Sequence, residues 1–236
     1  MKILALECSA TAASAAVIED GRILGSSFVS VKLTHSQTLL PMTDALLKSC
    51  HSSVGEIDGF CISAGPGSFT GVRIGISAIK GLAAAKKRPC VGVSTLAAVA
   101  ENFHVTDCTV CAVMDARCNQ VYNALFTVSN GEITRLCDDR AVPCEELAGE
   151  LEKIAAERII IAGDGADVFF PFVKDIPAVE MADEQHRYQT AVGVGLAALP
   201  DFEGGNTLSP EELLPVYLRL PQAERELKMK TKSGGQ

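Results

Sequence analysis

Basic residues are in deficit in this chain: across 236 residues, Lys and Arg total 21 against 29 Asp and Glu, a net charge of -8. Binding RNA unaided takes clustered cations to neutralise phosphates, so this balance argues against a solitary RNA-binding module. A role on nucleic acid calls for a basic partner. The one cation-rich stretch, Arg225 to Lys232, reads as a solvated tail. Long uncharged apolar runs are missing too, which leaves no candidate for a bilayer-spanning helix. No secretory leader pattern opens Met1-Lys2-Ile3-Leu4, and a soluble cytosolic protein is expected. Metal patterns are equally thin. The nine cysteines are odd in number and several lie in apolar strands, while Cys108-Thr109-Val110-Cys111 is a CxxC without a second pair. They read as structural thiols of a reducing compartment. The four histidines, His35, His51, His104 and His186, are scattered, and no H-E-x-x-H pair exists.

What is plentiful is apolar surface: 47% of the residues are hydrophobic, enough for one large core or two small ones. The most informative stretch is Ser63-Ala64-Gly65-Pro66-Gly67-Ser68-Phe69-Thr70-Gly71-Val72-Arg73-Ile74-Gly75, between a short apolar strand and a largely apolar helix. Ser68 and Thr70 place hydroxyls at the mouth of that helix, where backbone N–H groups lack partners. Such a loop receives a phosphate, a carboxylate or another backbone, or it only packs tightly. It is not a P-loop, because no glycine pair is followed by lysine at the G-x-x-x-x-G-K-[ST] spacing. It is not a dinucleotide fingerprint, since Thr70 stands where the third glycine belongs. Gly67-Ser68-Phe69-Thr70-Gly71 also misses the G-x-S-x-G order of a nucleophile elbow.

Periodicity predicts strands over 2–8, 13–19 and 22–31 with a hairpin turn at Asp20-Gly21. A helix over 36–50, a strand over 59–63, a helix over 70–86, a strand over 90–93 and a helix over 94–103 follow. Pro41 predicts a kink in the first of these helices, or a start nearer Thr38. The order then returns: strands over 109–115, 121–128 and 132–137 around Asn130-Gly131, and a helix over 143–156 opened by proline. A strand over 158–162, the turn Gly163-Asp164-Gly165, a short helix, a strand near 178–179 and a helix over 190–199 complete it. Two consecutive β-β-β-α-β-α-β-α units predict a duplicated α/β fold with two lobes, the actin, Hsp70 and sugar-kinase (RNase H-like) architecture. The first lobe is expected over 1–104 and the second over 105–203. Residues 204–220 are expected to return to the first lobe, and 221–236 to form a flexible tail.

The residues that carry a family resemblance run in one order along nearly the whole chain. They are Ala64 to Gly75 as quoted, Lys80-Gly81-Leu82-Ala83, Gly92-Val93-Ser94-Thr95-Leu96, Asp115-Ala116-Arg117 with Tyr122, and Pro215-Val216-Tyr217-Leu218-Arg219. Together they closely resemble the TsaB (YeaZ) family. One departure is Glu7-Cys8-Ser9 where the commoner pattern is Asp-Thr-Ser. The resemblance implies a dimerising, non-catalytic partner of the paralogue TsaD and the ATPase TsaE. Those proteins move threonylcarbamoyl from its adenylate to N6 of the adenosine beside the anticodon. It implies a homodimer when TsaD is absent, contact with tRNA only through the complex, and no membrane. No cofactor is required, with room for ATP or ADP at the partner junction.

The catalytic paralogue holds its metal with V-N-H-x-x-G-H; the matching segment here puts Thr95 and Val99 at the histidine positions, and neither replaces an imidazole. For the partner surface, the helix pair over 38–50 and 70–86 is the candidate, because a surface helix needs one apolar stripe rather than two. The residues expected on it are Leu39, Leu40, Thr43, Leu46, Leu47, Cys50, Gly71, Arg73, Ile74, Gly75 and Ala78, with the two glycines admitting a neighbouring backbone. The alternative is that these helices pack only on each other and the sheet. Nucleotide contact, if any, falls to Glu7, Ser9, Gly67, Ser68 and Asp115. A stand-alone ATP-dependent kinase or hydrolase is the rival reading, opposed by first turns that lack glycine and by bulky Arg117. In that rival the strand-end acids hold a metal or a base; otherwise they only bond their own turns.

Overall fold

The computed structural model describes residues 1–31 and 33–219. The tail expected over 221–236 lies outside the described residues. Strands β1 (Lys2–Glu7), β2 (Ala13–Glu19), β3 (Arg22–Val29), β4 (Gly59–Gly65) and β5 (Cys90–Ser94) form one sheet in the order β3-β2-β1-β4-β5. A second sheet holds β6 (Cys108–Asp115), β7 (Gln120–Ser129), β8 (Glu132–Arg135), β10 (Ile159–Ala162) and β11 (Val179–Met181), with β9 (Arg140–Pro143) paired to β7. Its order, β8-β7-β6-β10-β11, repeats that of the first sheet. The short β9 was not predicted; four residues ending in proline carry too little alternation to be recognised. Asp20-Gly21 and Asn130-Gly131 make the two hairpin turns, all four residues having positive φ as such turns require.

The helices are α1 (His35–Ser49), α2 (Phe69–Ala84), α3 (Thr95–Ala100), α4 (Cys144–Leu151), α5 (Ala166–Phe169) and α6 (Ala191–Gly204). Pro41 sits inside α1 and the helix begins at His35 rather than near Thr38. Proline lies on the exposed face there, where water can serve the carbonyl it leaves unpaired. β1 is apolar on both faces because both are covered. Leu4 and Leu6 meet α1 and α2, while Ile3 and Ala5 meet α6.

That last contact crosses the expected lobe boundary. Residues 105–203 were expected to form the second lobe, yet Val194, Ala198 and Phe202 of α6 pack against Ile3, Ile18, Cys61 and Val91 of the first sheet. Conversely Leu96 and Val99 of α3 pack against Val110, Ala112 and Met114 of the second sheet. Each repeat thus lends its last helix to the other's side of the joint. The apolar faces of α3 and α6 are satisfied by any sheet, so their sequences carry no lobe address.

Candidate functional site

The carboxyl ends of β1, β4, β6 and β10 meet at a cleft of about 420 Å³ between the lobes. Its walls include Ser9, Gly67, Ser68, Asp115, Arg117, Tyr122 and Asp164. Four of the five residues named for nucleotide contact therefore line one cleft, and the fifth, Glu7, lies directly behind Ser9. Gly67 faces the first turn so closely that a Cβ there would stand 2.5 Å from the Ser9 carbonyl oxygen. The Ser68 amide donates to that same oxygen at 2.7 Å, and Ser68 caps α2.

Both strand-end acids bond their own turns. Glu7 is completely buried, and its Oε1 accepts from the Ser9 amide at 2.7 Å and from the Ser9 hydroxyl. Asp115 Oδ1 accepts from the Arg117 amide at 2.7 Å, and its other oxygen pairs with the Arg117 guanidinium at 3.0 Å. Arg117 is one of the cleft's walls, with its side chain 80% exposed. Burial pushes the Glu7 carboxyl up to about 7, against the pull of its bonds to Ser9. Asp164 is likewise raised to about 7, by burial first and then by the charge of Asp115. Asp164 was missed in the sequence. The available signal was an acid between two glycines after a strand, the second-repeat counterpart of the glycine loop at Gly65 to Gly67.

The partner-surface expectation needs correcting residue by residue. Leu39, Thr43, Leu46 and Leu47 are buried in the chain's own core, against β1, β2 and α2. Each leucine gains about 1.5–3 kcal/mol on leaving water, and its own sheet offers that gain without the entropy cost of association. Cys50 is half-buried against the same core. Gly71 and Gly75 do admit a close neighbour, but it is internal. A Cβ on Gly71 would lie 2.2 Å from the Cys8 carbonyl oxygen, and one on Gly75 would lie 2.7 Å from Cys8 Sγ and Ile62 Cδ1. What stays open is a shallow groove between α1 and α2, lined by His35, Leu40, Arg73, Ile74, Ser77 and Ala78. Leu40 is 48% exposed there and Ile74 and Ala78 are half-buried. His35 starts α1, and its Nε2 lies 2.7 Å from the Ala10 carbonyl oxygen, joining the groove to the first turn.

Residues 206–219 run from the first lobe to the second as a strap. Leu208 bridges to Cys90, Leu213 is fully buried in the first-lobe core, and the Val216 amide donates to the Ala64 carbonyl at 2.8 Å. Tyr217 stacks on Phe69 with ring centroids 4.5 Å apart and accepts from Arg73 Nε at 2.6 Å. Beyond it Leu218 packs on the second core and Arg219 donates to the Ala116 carbonyl. The cysteines show why the CxxC is no ligand pair: Cys108 packs with one face of the second sheet and Cys111 with the other. Among the described residues no three His, Cys, Asp or Glu side chains converge to hold a metal ion. Thr95 and Val99 are fully buried. No helix among the described residues is long and apolar enough to cross a membrane.

Two matching sheets, exchanged terminal helices and a cleft at the carboxyl ends of the parallel strands define the duplicated actin-like α/β class. The family model for TsaD, tRNA N6-adenosine threonylcarbamoyltransferase, matches residues 29–202. The chain is 32% identical to the Escherichia coli tRNA threonylcarbamoyladenosine biosynthesis protein TsaB, over 96% of this chain and 98% of that one. It superposes on a Pseudomonas aeruginosa crystal structure described as similar to peptidase YeaZ, with TM-score 0.79, 31% identity, and 92% and 99% of the two chains covered. A more distant likeness is to component A of (R)-2-hydroxyglutaryl-CoA dehydratase from Acidaminococcus fermentans. At TM-score 0.53 and 12% identity, over 87% and 99% of the chains, it shows the shared fold alone. The chain belongs to the TsaB family of tRNA threonylcarbamoyladenosine biosynthesis proteins.

Proposed function

We propose that this chain is a non-catalytic scaffold of tRNA threonylcarbamoyladenosine synthesis, acting in the cytosol with TsaD and TsaE and meeting tRNA only through that assembly. In this reading TsaD transfers threonylcarbamoyl from its adenylate to N6 of the adenosine beside the anticodon. The present chain positions and activates it, needs no cofactor of its own, and pairs with a second copy when TsaD is absent. The carrying observation is the burial of Thr95 and Val99 in α3, at the positions that match the metal-binding histidines of the catalytic paralogue. A threonine hydroxyl and a valine in a packed core offer no imidazole nitrogen. The deficit of cations supports indirect contact with tRNA.

The groove between α1 and α2 is the surface offered to TsaD, and to a second copy in competition with it. Leu40, Ile74 and Ala78 supply its apolar floor and Arg73 its polar edge. Any ATP or ADP at the partner junction is shared with TsaD. Reconstitution tests the reading. The chain alone is expected to form no modified tRNA, and its addition to TsaD and TsaE with the adenylate to raise the yield. Modification by the chain alone, or no gain on adding it, overturns the proposal. Phosphate release from ATP by the chain alone, falling in Asp115→Asn, would instead favour the kinase or hydrolase reading.

A further inference from the structure

We propose that the end of the chain completes the first sheet. The segment Leu227 to Lys232 adds to the free edge of β3 as an antiparallel sixth strand, with Leu227 and Met229 over the cavity beside that edge.

Strand edges present unpaired N–H and C=O groups, and proteins blunt them with charge, proline, shortness or a cover. The other edges here are blunted. β11 has three residues and β8 and β9 four each; all three carry charge, and β9 ends in proline. The outer side of β5 is bridged by Leu208. β3 differs: it has eight residues and, among the described residues, pairs only with β2. From Ile23 to Val31 the chain carries neither charge nor proline. The one bulge of this edge lies at its hairpin end, opposite Val17 and Ile18.

A cavity of about 440 Å³ lies on one face of the same edge, beside the start of α6. Ser26, Phe28 and Ser30, alternate residues along and just past β3, line it together with Tyr188, Thr190 and Val192. Phe28 stands opposite Ser14, whose hydroxyl accepts from the Ala191 amide, so it belongs to the α6 face, where it stays 47% exposed. A strand laid along β3 sets every second side chain over this cavity while its backbone pairs with the edge.

The chain's own end has the chemistry for that place. Leu227-Lys228-Met229-Lys230-Thr231-Lys232 alternates strictly, so an extended backbone puts Leu227, Met229 and Thr231 on one face and three lysines on the other. Residues 220–236 hold four Lys or Arg against two Glu, opposite in sign to the net charge of -8 of the whole chain. The cavity lining contributes Glu184 and no Lys or Arg.

Position and direction agree with this. Leu218 packs on the same core as Ala10, in the turn that leads to β2, and Arg219 reaches the Ala116 carbonyl. Val29 pairs with Ala13 at that end of the sheet, so a segment descending from there runs antiparallel to β3. A sixth strand would lie about 15 Å from β1, three strand spacings away. The eight steps from Arg219 to Leu227 span up to about 26 Å. A second copy offering its own uncharged β3 brings no charge contrast, and a separate peptide has to compete with a strand tethered at high effective concentration.

Hydrogen exchange on the full chain tests this, with the synthetic peptide of residues 220–236 as reference. Amides of residues 227–232 are expected to exchange about tenfold or more slowly in the chain than in the peptide. That protection should not vary with protein concentration, because the strand is supplied in cis. Met229→Pro removes a ladder donor without touching either described lobe. It should speed exchange in residues 227–232 and at residues 26–29 of β3 together. Exchange of the tail at the peptide's rate, protection that falls on dilution as a second copy would give, or β3 exchange unchanged in Met229→Pro would overturn the inference.

Discussion

The loops that leave β4 and β10 hold equivalent places in their lobes but are closed by different parts of the chain. Gly65 at the end of β4 has φ 130°, and a Cβ there would stand 2.3 Å from the carbonyl oxygen of Val216, in the strap from the far end of the sequence. Gly163 after β10 has φ 108°, and a Cβ there would stand 2.0 Å from the carbonyl oxygen of Val113, in the adjacent strand β6. The first loop is neutral and starts a 16-residue helix; the second carries Asp164 and starts a helix of four residues. Duplication preserved the backbone device and let the two copies take different work. One supports the long helix that borders the groove with α1, and the other places an acid in the cleft.

The sharpest way to break this comparison is to add a methyl group to each loop. Gly163→Ala is expected to lose about 4 kcal/mol of stability and Gly65→Ala about 3 kcal/mol, from left-handed strain plus backbone overlap. Thermal unfolding measures both. Only Gly65→Ala should speed hydrogen exchange at the Val216 amide, because only the first loop leans on the strap. Equal exchange in the two variants would erase the distinction drawn between the loops. Next in size, Leu213→Ala should cost about 3 kcal/mol by opening a cavity in the first-lobe core, with denaturant unfolding as the check.

A smaller effect separates the acids from their turns. Glu7 has an ordinary pKa of 4.5 and is raised to about 7 in the fold, so the folded state holds its proton more tightly than the unfolded chain. The stability it contributes is therefore full below about 4.5 and lost as pH rises through about 7. Glu7→Gln should flatten this part of the pH–stability curve; an unchanged slope would contradict the assignment. Asp164, raised from 3.8 to about 7, adds a slope of the same sign. The smallest change expected in stability is that of Leu40→Asp, within about 0.5 kcal/mol for an exposed site. It should nonetheless abolish co-elution with TsaD, and undisturbed co-elution would refute the groove. Leu46→Asp is a poor substitute, since Leu46 belongs to the core.

Much of this was legible beforehand because its causes are local. Asp20-Gly21 and Asn130-Gly131 mark hairpins since few residue pairs accept two positive φ angles. The repeated strand order followed from those turns and from period-two patterning. Glu7 and Asp115 end strands, Ser68 caps α2, and Ser9 and Gly67 lie in the turns beside them, so their grouping around one cleft was legible from local pattern. Asp164 was not, because only the pairing of β10 with β6 brings it to the cleft beside Asp115, which its own neighbours in sequence do not specify. The partner leucines failed for a related reason. Leu39, Leu46 and Leu47 form an apolar stripe that a partner or the chain's own sheet would satisfy equally well, and periodicity does not say which.

By itself, then, the amino-acid order settled every strand but β9, the hairpin turns, the duplicated plan and the family likeness, all of which depend on backbone preferences or short patterns. Tertiary structure alone decided that α6 covers the first sheet, that the strap ties Ala64 to Ala116 across both lobes, and that Asp164 joins Asp115 at the cleft between them. Those outcomes depend on which apolar faces and polar atoms come together from distant parts of the chain. Burial free energy grows with apolar area and is indifferent to sequence separation, so no local pattern could have announced them.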